Sequence, residues 1–308
     1  MIIAGTKIEK GQCKTIKLSI AKLISGTEID VPIVVYRGKT DGPVLMLMAG
    51  LHGDEINSID VVRKIIDQKI NHVESGTVIC IPILNVFGFI NFSREVPDGK
   101  DVNRSFPGSL KGSLASQIAF HLTDKVLSHC DYIIDYHTGG KSRYNIPQIR
   151  TTIDIQSCKQ LAEAFNAPFT LHSGLIKKSL RESAINQGKT IIVFEGGESL
   201  RFNKNATDVA IKGTKNILNF LKMKSYNETQ LESKLYLKKK WIRAPIAGFF
   251  HPTILAGEKV KIKQDLGSIC GPFADFKETC LSPKSGHVIS LNRNPMVNRG
   301  DAIIQIAY

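Results

Sequence analysis

Three apolar runs in this 308-residue chain end in residues that can bind a cation or carry a proton. Val44–Met48 leads through Ala49-Gly50 to His52 and Glu55, Tyr132–Tyr136 leads into His137-Thr138-Gly139-Gly140, and Ile191–Phe194 leads into Glu195-Gly196-Gly197. An imidazole and a carboxylate three positions apart can face the same way on one helical turn, close enough to share a cation. The spacing alone decides nothing, because 8 His and 28 acidic residues supply about one such pair by chance. The second pair in this chain, His121–Asp124, falls in a plain helical pattern and reads as a solvated face. His52 and Glu55 stand out because they follow a buried strand and because two further strands end in comparable residues. Together His52, Glu55 and His137 make a donor set of the catalytic zinc type, with three protein ligands and a fourth position for water. Glu195 is then the free carboxylate, poised to take a proton from that water, whose pKa a cation brings from about 15.7 towards 7. A base in this role contributes on the order of 10²–10⁴ in rate.

The segment Asn85–Gly108, NVFGFINFSREVPDGKDVNRSFPG, supplies complementary groups. Asn103 and Arg104 are polar side chains suited to a substrate, and Asp101 is an acid beside them. An arginine fork grips a carboxylate through two parallel charge-assisted hydrogen bonds, which lysine cannot reproduce. Arg94, ten residues before Arg104, could reach an oxyanion developing beside the metal. Such a donor is worth about 2.7–4 kcal/mol of barrier. Pro97-Asp98-Gly99 is by itself only a turn sequence.

These residues need a sheet to position them. Residues 1 to about 225 alternate strand-like and helix-like segments, the signature of an α/β fold with a mixed sheet flanked by helices. Strands are expected at Ile33–Tyr36, Pro43–Met48, Thr77–Ile83, Tyr132–Tyr136 and Thr190–Phe194. Polar groups at the carboxyl ends of such strands occupy the usual ligand position of open α/β sheets. Ile59, Val62, Ile66 and Ile70 recur at helical spacing, as do Leu114, Ile118, Leu122 and Val126, and more loosely Val209, Ile217 and Leu221. Asn85 to Gly112 is expected to be one long functional loop. The loops at Thr138–Arg150 and His172–Arg181 are expected to set specificity. After a linker near 223–235, residues 236–308 show short β-like segments, frequent turn glycines and no helical pattern, which suggests a second, small all-β domain.

Composition narrows the class. The chain carries 42% apolar and 22% charged residues, ordinary for a globular enzyme. No run approaches the roughly 18 apolar residues of a membrane span, and the N-terminus lacks the pattern of a signal peptide. Its six cysteines are scattered without a C-x-x-C pair, so neither a disulfide framework nor a thiolate metal site is indicated, and a cytoplasmic location is expected. The net charge of +13 is spread out, with no nucleic-acid-reading motif. It suits a solvated surface that steers a small anionic substrate, with no nucleic acid and no membrane as partner.

In this order, HGDE, DVNRSFPG, DYHTGG and FEGGE resemble the succinylglutamate desuccinylase/aspartoacylase family, a branch of the carboxypeptidase-like zinc hydrolases. The resemblance covers nearly the whole chain. It implies one zinc ion on His52, Glu55 and His137, with Glu195 as general base and later proton donor. By the same comparison Arg94 polarises the scissile carbonyl, Asn103 and Arg104 hold a substrate carboxylate, and Asp101 orients a ligand imidazole. Within the C-terminal region, APIAG (Ala244–Gly248) and SPKSGHV (Ser282–Val288) resemble the two halves of a biotinyl/lipoyl-like sandwich. Lys284 sits in Pro-Lys-Ser, which departs from the motif of a modified carrier lysine, so the region is expected to narrow substrate access and not to carry a cofactor. The expected activity is zinc-dependent deacylation of a small N-acyl amino acid or related amide. A zinc carboxypeptidase or peptide amidase is the nearest rival, and a non-catalytic binding protein a more distant one. A homo-oligomer is compatible with the sequence.

Overall fold

The computed structural model describes residues 1–228, 230 and 232–308; Thr229 and Leu231, inside the expected linker, lie outside the described residues. A ribbon of β1 (Ile2–Ile3) and β2 (Thr6–Lys7) precedes the antiparallel hairpin of β3 (Cys13–Lys22) and β4 (Glu28–Arg37). On β3, Ile16, Leu18 and Ile20 point inward between exposed neighbours, the alternation of a strand with one buried face.

The centre of the sheet follows. β5 (Thr40–Met48) leads to α1 (Ile56–Asp67), and β6 (Ser75–Ile81) leads to α2 (Val86–Ile90), α3 (Leu114–Lys125) and β7 (Tyr132–Gly139). β5 lies between β6 and β7, parallel to both. It is buried on both faces, which is why Val44–Met48 reads as an unbroken apolar run. Its period of two divides it between layers. Met46 and Met48 join a core with Ile118 and Leu122 of α3. Leu45 and Leu47 join the opposite core with Val61, Val62 and Ile65 of α1.

β8 (Arg143–Thr151), α4 (Gln156–Phe165), β9 (Phe169–His172), α5 (Leu180–Asn186), β10 (Thr190–Glu198) and α6 (Lys204–Phe220) complete this α/β part. β10 runs parallel to β7 and antiparallel to β8, which makes the sheet mixed. Most of Thr138–Arg150, expected as a loop, is therefore strand; its sequence alternates polar and apolar side chains because one face lines a cleft. Asn85–Gly112 holds α2 and a single 3-10 turn at Val102–Arg104, and otherwise runs as turns.

The C-terminal region is all-β: β11 (Lys234–Tyr236), β12 (Lys239–Arg243), β13 (Gly248–Pro252), β14 (Lys259–Val260), β15 (Asp265–Cys270), β16 (Lys277–Leu281), β17 (Gly286–Asn292), β18 (Met296–Val297) and β19 (Ala302–Ala307). It has a core of its own around Phe250, Ile269, Val288 and Ile304. It is also hydrogen-bonded into the main sheet, whose order is β12-β19-β17-β8-β10-β7-β5-β6-β4-β3. The junction pairs Ser290 with Asn145, Leu291 with Tyr144 and Asn292 with Arg143. Among the described residues, no helix is long and apolar enough to cross a membrane.

Candidate active site

The turn between β5 and α1 carries His52 and Glu55, and Glu55 is the N-cap residue of α1. Gly53 lets that turn lie against α2. A Cβ there would meet the Gly88 carbonyl carbon at 1.8 Å and the Phe89 nitrogen at 2.0 Å, both backbone atoms that cannot swing aside. The Gly53 amide donates to the Ser93 carbonyl at 2.9 Å, which pins the turn to the Arg94 segment.

Both oxygens of Glu55 face an imidazole: Oε1 is 2.7 Å from His52 Nδ1, and Oε2 is 2.9 Å from His137 Nδ1. The Thr138 amide also donates to Oε2 at 2.9 Å. All three side chains are buried, and one donor atom from each lies within 4.8 Å of the other two. The outer ring nitrogens turn towards carboxylates. His137 Nε2 is 2.8 Å from Asp135 Oδ2, and His52 Nε2 is 3.5 Å from Asp101 Oδ1. Asp135 thus hydrogen-bonds the outer nitrogen of His137, whereas His52 Nε2 is buried near Asp101 without a hydrogen-bond partner among the described residues; in both rings Nδ1 faces Glu55. Two imidazole nitrogens and one carboxylate oxygen converging in a buried pocket are a donor set that could hold a metal ion.

The electrostatics agree with this geometry. Burial opposes ionisation of Glu55, but His137 and His52 outweigh it and hold the carboxyl well below the usual range. Asp101 is likewise opposed by burial and held down by His52 and Arg94. For His137 burial favours the neutral ring, and Asp135 with Glu55 reverses that direction.

Arg94 Nε and Nη2 both donate to Asp101 Oδ2, at 3.1 and 2.8 Å, and Nη1 lies 3.2 Å from His52 Nδ1. Arg94 thus sits at the edge of the His/Glu cluster, paired with the carboxylate that lies 3.5 Å from His52 Nε2. Asp101 Oδ1 accepts from the Asn103 amide at 2.7 Å, capping the short turn that presents Asn103 and Arg104. Asn103 Oδ1 accepts from the Leu180 amide at 2.9 Å, leaving its NH2 group for another partner. Glu195, near the end of β10, is adjacent in register to His137 on β7. Its Oε2 accepts from Asn145 Nδ2 at 2.8 Å, and its Oε1 pairs with Arg150 Nη1 at 2.9 Å.

One cleft of about 530 Å³ collects the eight residues expected from sequence: His52, Glu55 and His137; Glu195; Arg94 and Asp101; and Asn103 and Arg104. Others in the cleft were not singled out by residue, although Asn145, Arg150 and Arg181 lie in the segments expected to set specificity. Asp135 had a local signal, since Asp-x-His on a strand places both side chains on one face. Asn145 and Arg150 had only polarity within a buried strand. Arg181, on α5, is 7% exposed; Nη2 donates to the Gly174 carbonyl at 2.5 Å, and Nη1 is buried without a partner. From the C-terminal region, Trp241 and Ser290 line the same cleft, and the Arg143 guanidinium lies 5.4 Å from the Trp241 ring centre.

The family model for the succinylglutamate desuccinylase/aspartoacylase catalytic domain matches residues 41–221. The chain belongs to this family. The matched span runs from β5 through α6 and so includes all the His/Glu/Arg cluster described above. The chain is 27% identical over 299 residues to an N-alpha-acetyl-L-2,4-diaminobutyric acid deacetylase of Halomonas elongata, covering 90% of this chain and 85% of that protein. The fold matches a product-bound structure of the ectoine utilization protein EutE (DoeB) from Ruegeria pomeroyi, with a TM-score of 0.87 at 21% identity over 97% of this chain and 95% of that one. It also matches a succinylglutamate desuccinylase/aspartoacylase from Rhodobacter sphaeroides, with a TM-score of 0.87 at 24% identity over 100% and 99% of the two chains.

Proposed function

We propose that this protein is a zinc-dependent amidohydrolase that removes the acyl group from a small N-acylated amino acid or related amide. One observation carries the reading: the donor atoms of His52, Glu55 and His137 converge in the same cleft as a separate buried carboxylate, Glu195. Family membership and the deacetylase relative support the choice of reaction. The three clustered side chains would hold the ion, which when bound acts as a Lewis acid and brings the pKa of water there towards about 7.

The chain's own residues account for the rest. Glu195 takes a proton from water as the water oxygen bonds to the acyl carbon. The same carboxyl group then gives that proton to the amide nitrogen as the C–N bond breaks, so the products are a carboxylic acid and an amine, which pass to carboxylate and ammonium by exchange of the remaining proton. Arg94 donates to the acyl oxygen as negative charge builds on it. Asn103 and Arg104 hold a carboxylate of the substrate, a task suited to a planar fork. Asp101 and Asp135 keep the two imidazoles aimed. A cleft of this volume, walled by Trp241 and Ser290, suits a small molecule better than a long peptide.

The test is a panel of N-acetylated amino acids, including Nα-acetyl-L-2,4-diaminobutyrate, and short N-acetylated peptides, assayed with zinc-loaded protein. Free amine should appear from at least one acyl amino acid and faster than from the peptides. Failure to bind zinc at low micromolar concentration, or zinc-loaded protein releasing amine from no member of the panel, would overturn the reading.

A further inference from the structure

The proposed base has to be held in place for its oxygens to face the reacting water. The terminal torsion of a glutamate is broad and roughly two-fold, so the plane of the Glu195 carboxylate depends strongly on what its oxygens bond to. The geometry points to Arg150 as the positioning residue for Glu195, assisted by Asn145. This inference rests on the reading of Glu195 as the base.

Both partners come from one strand. β8 is antiparallel to β10, with Arg150 opposite Val193 and Gln148 opposite Glu195. Arg150 is therefore on the same face as Glu195 and diagonal to it, a separation that an arginine spans. Between Glu195 and Gly197 the register shifts, so that Asn145 comes opposite Gly197. A bulge of this kind re-aims side chains beside active sites. The outcome is one donor for each oxygen: Arg150 on Oε1 at 2.9 Å and Asn145 on Oε2 at 2.8 Å. Asn145 is buried and its strand is held from the other side by Ser290 of β17.

Arg150 has no rival carboxylate partner among the described residues. Its Nε is buried without a partner, and its cationic neighbours, Arg181 and Lys239, repel it. The Glu195 carboxylate is thus its counter-ion. A guanidinium on one oxygen and an amide on the other restrict the carboxylate plane while leaving lone pairs for water. The logic is that of a third group orienting a general base.

The test is kinetic and structural. In Arg150→Ala, kcat should fall on the order of 10²-fold while KM moves less than about threefold, the pattern of a misplaced base. Arg150→Lys should recover part of kcat, and millimolar guanidinium should raise kcat of Arg150→Ala where equimolar urea does not. In a Glu195→Gln background, Arg150→Ala should have almost no further effect, because the group it positions is already inert. A crystal structure of Arg150→Ala should show β8 in place and the Glu195 carboxylate rotated or in more than one rotamer, a readout independent of any substrate. A rise in KM with kcat unchanged would make Arg150 a substrate contact and overturn the inference, as would an unmoved Glu195 in that crystal structure. If Glu195→Gln turns over normally, the reading of the base itself has failed; if it is dead while Arg150→Ala is normal, only the positioning role has failed.

Discussion

At the residue scale, the candidate site is a set of carboxylates with divided duties. Glu55 lies between two imidazoles, Asp101 and Asp135 stand behind them, and Glu195 is kept apart on Arg150 and Asn145. These duties are separable by substitution. Glu195→Gln keeps the shape and removes the proton acceptor, so turnover should fall on the order of 10²–10⁴-fold. Zinc content, measured by elemental analysis, should be unchanged. Asp135→Asn leaves the ligands present but removes the charged partner of His137 Nε2, and zinc affinity in competitive chelator titration should weaken about 10–100-fold. An Asp135→Asn protein with unaltered affinity would show that His137 is oriented by its strand alone.

At the element scale, the turn after β5 leaves no room for a side chain at Gly53. Gly53 packs against the backbone of α2 at distances that no Cβ can share. Gly53→Ala should force the turn away from α2, destabilise the protein by at least about 1–3 kcal/mol and separate His52 from His137. Thermal melting and zinc binding should both register the change, whereas the same substitution at Gly140, where a Cβ would meet nothing within 4 Å, should leave both nearly unaltered. Much of this level was legible beforehand. The apolar runs of β5, β7 and β10 announced themselves because strands buried on both faces have no polar face to dilute the pattern. β8 did not, because its alternation is broken at Pro147 and it combines core residues with cleft-lining Asn145 and Arg150. α5 was missed for a similar reason: it spans only Leu180–Asn186, too short for a helical period to establish itself.

At the scale of the whole molecule, the C-terminal strands complete the sheet that carries the candidate base. β17 covers Arg143–Asn145 of β8, and β12 brings Lys239 towards Arg150 and Arg181. A chain ending at residue 225 would leave that part of β8 with one edge open, so it should melt at lower temperature and lose most activity even with zinc in excess. Lys239 makes a further expectation possible. Burial, followed by repulsion from Arg150 and Arg181, lowers its pKa from 10.5 to about 8, with Glu195 opposing the fall. Keeping the ammonium charged in the folded state therefore costs roughly 3 kcal/mol. That cost is fully present below pH 8. Between about pH 8 and 10.5 the unfolded chain binds more protons than the folded one, so this group's contribution to stability rises with pH. Lys239→Met should thus be more stable than wild type near pH 7, and the advantage should shrink by pH 10.5, as chemical denaturation at the two pH values would show.

The sequence by itself determined the α/β pattern, the all-β character of the C-terminal region and the three strand ends bearing His52, Glu55, His137 and Glu195. These are local properties: periodicity within one element, and residue type at the end of a run. Only the tertiary structure decided what stands behind those residues. Asp135 could be placed by strand geometry, but Asn145, Arg150 and Arg181 meet the cleft through strand register, a bulge and helix packing. The relations of Asn145 to Glu195 and to Ser290 of β17 cross 50 residues of chain and a β-sheet junction respectively. Contacts of that kind depend on how elements are brought together in space, and spacing along one chain does not encode them directly.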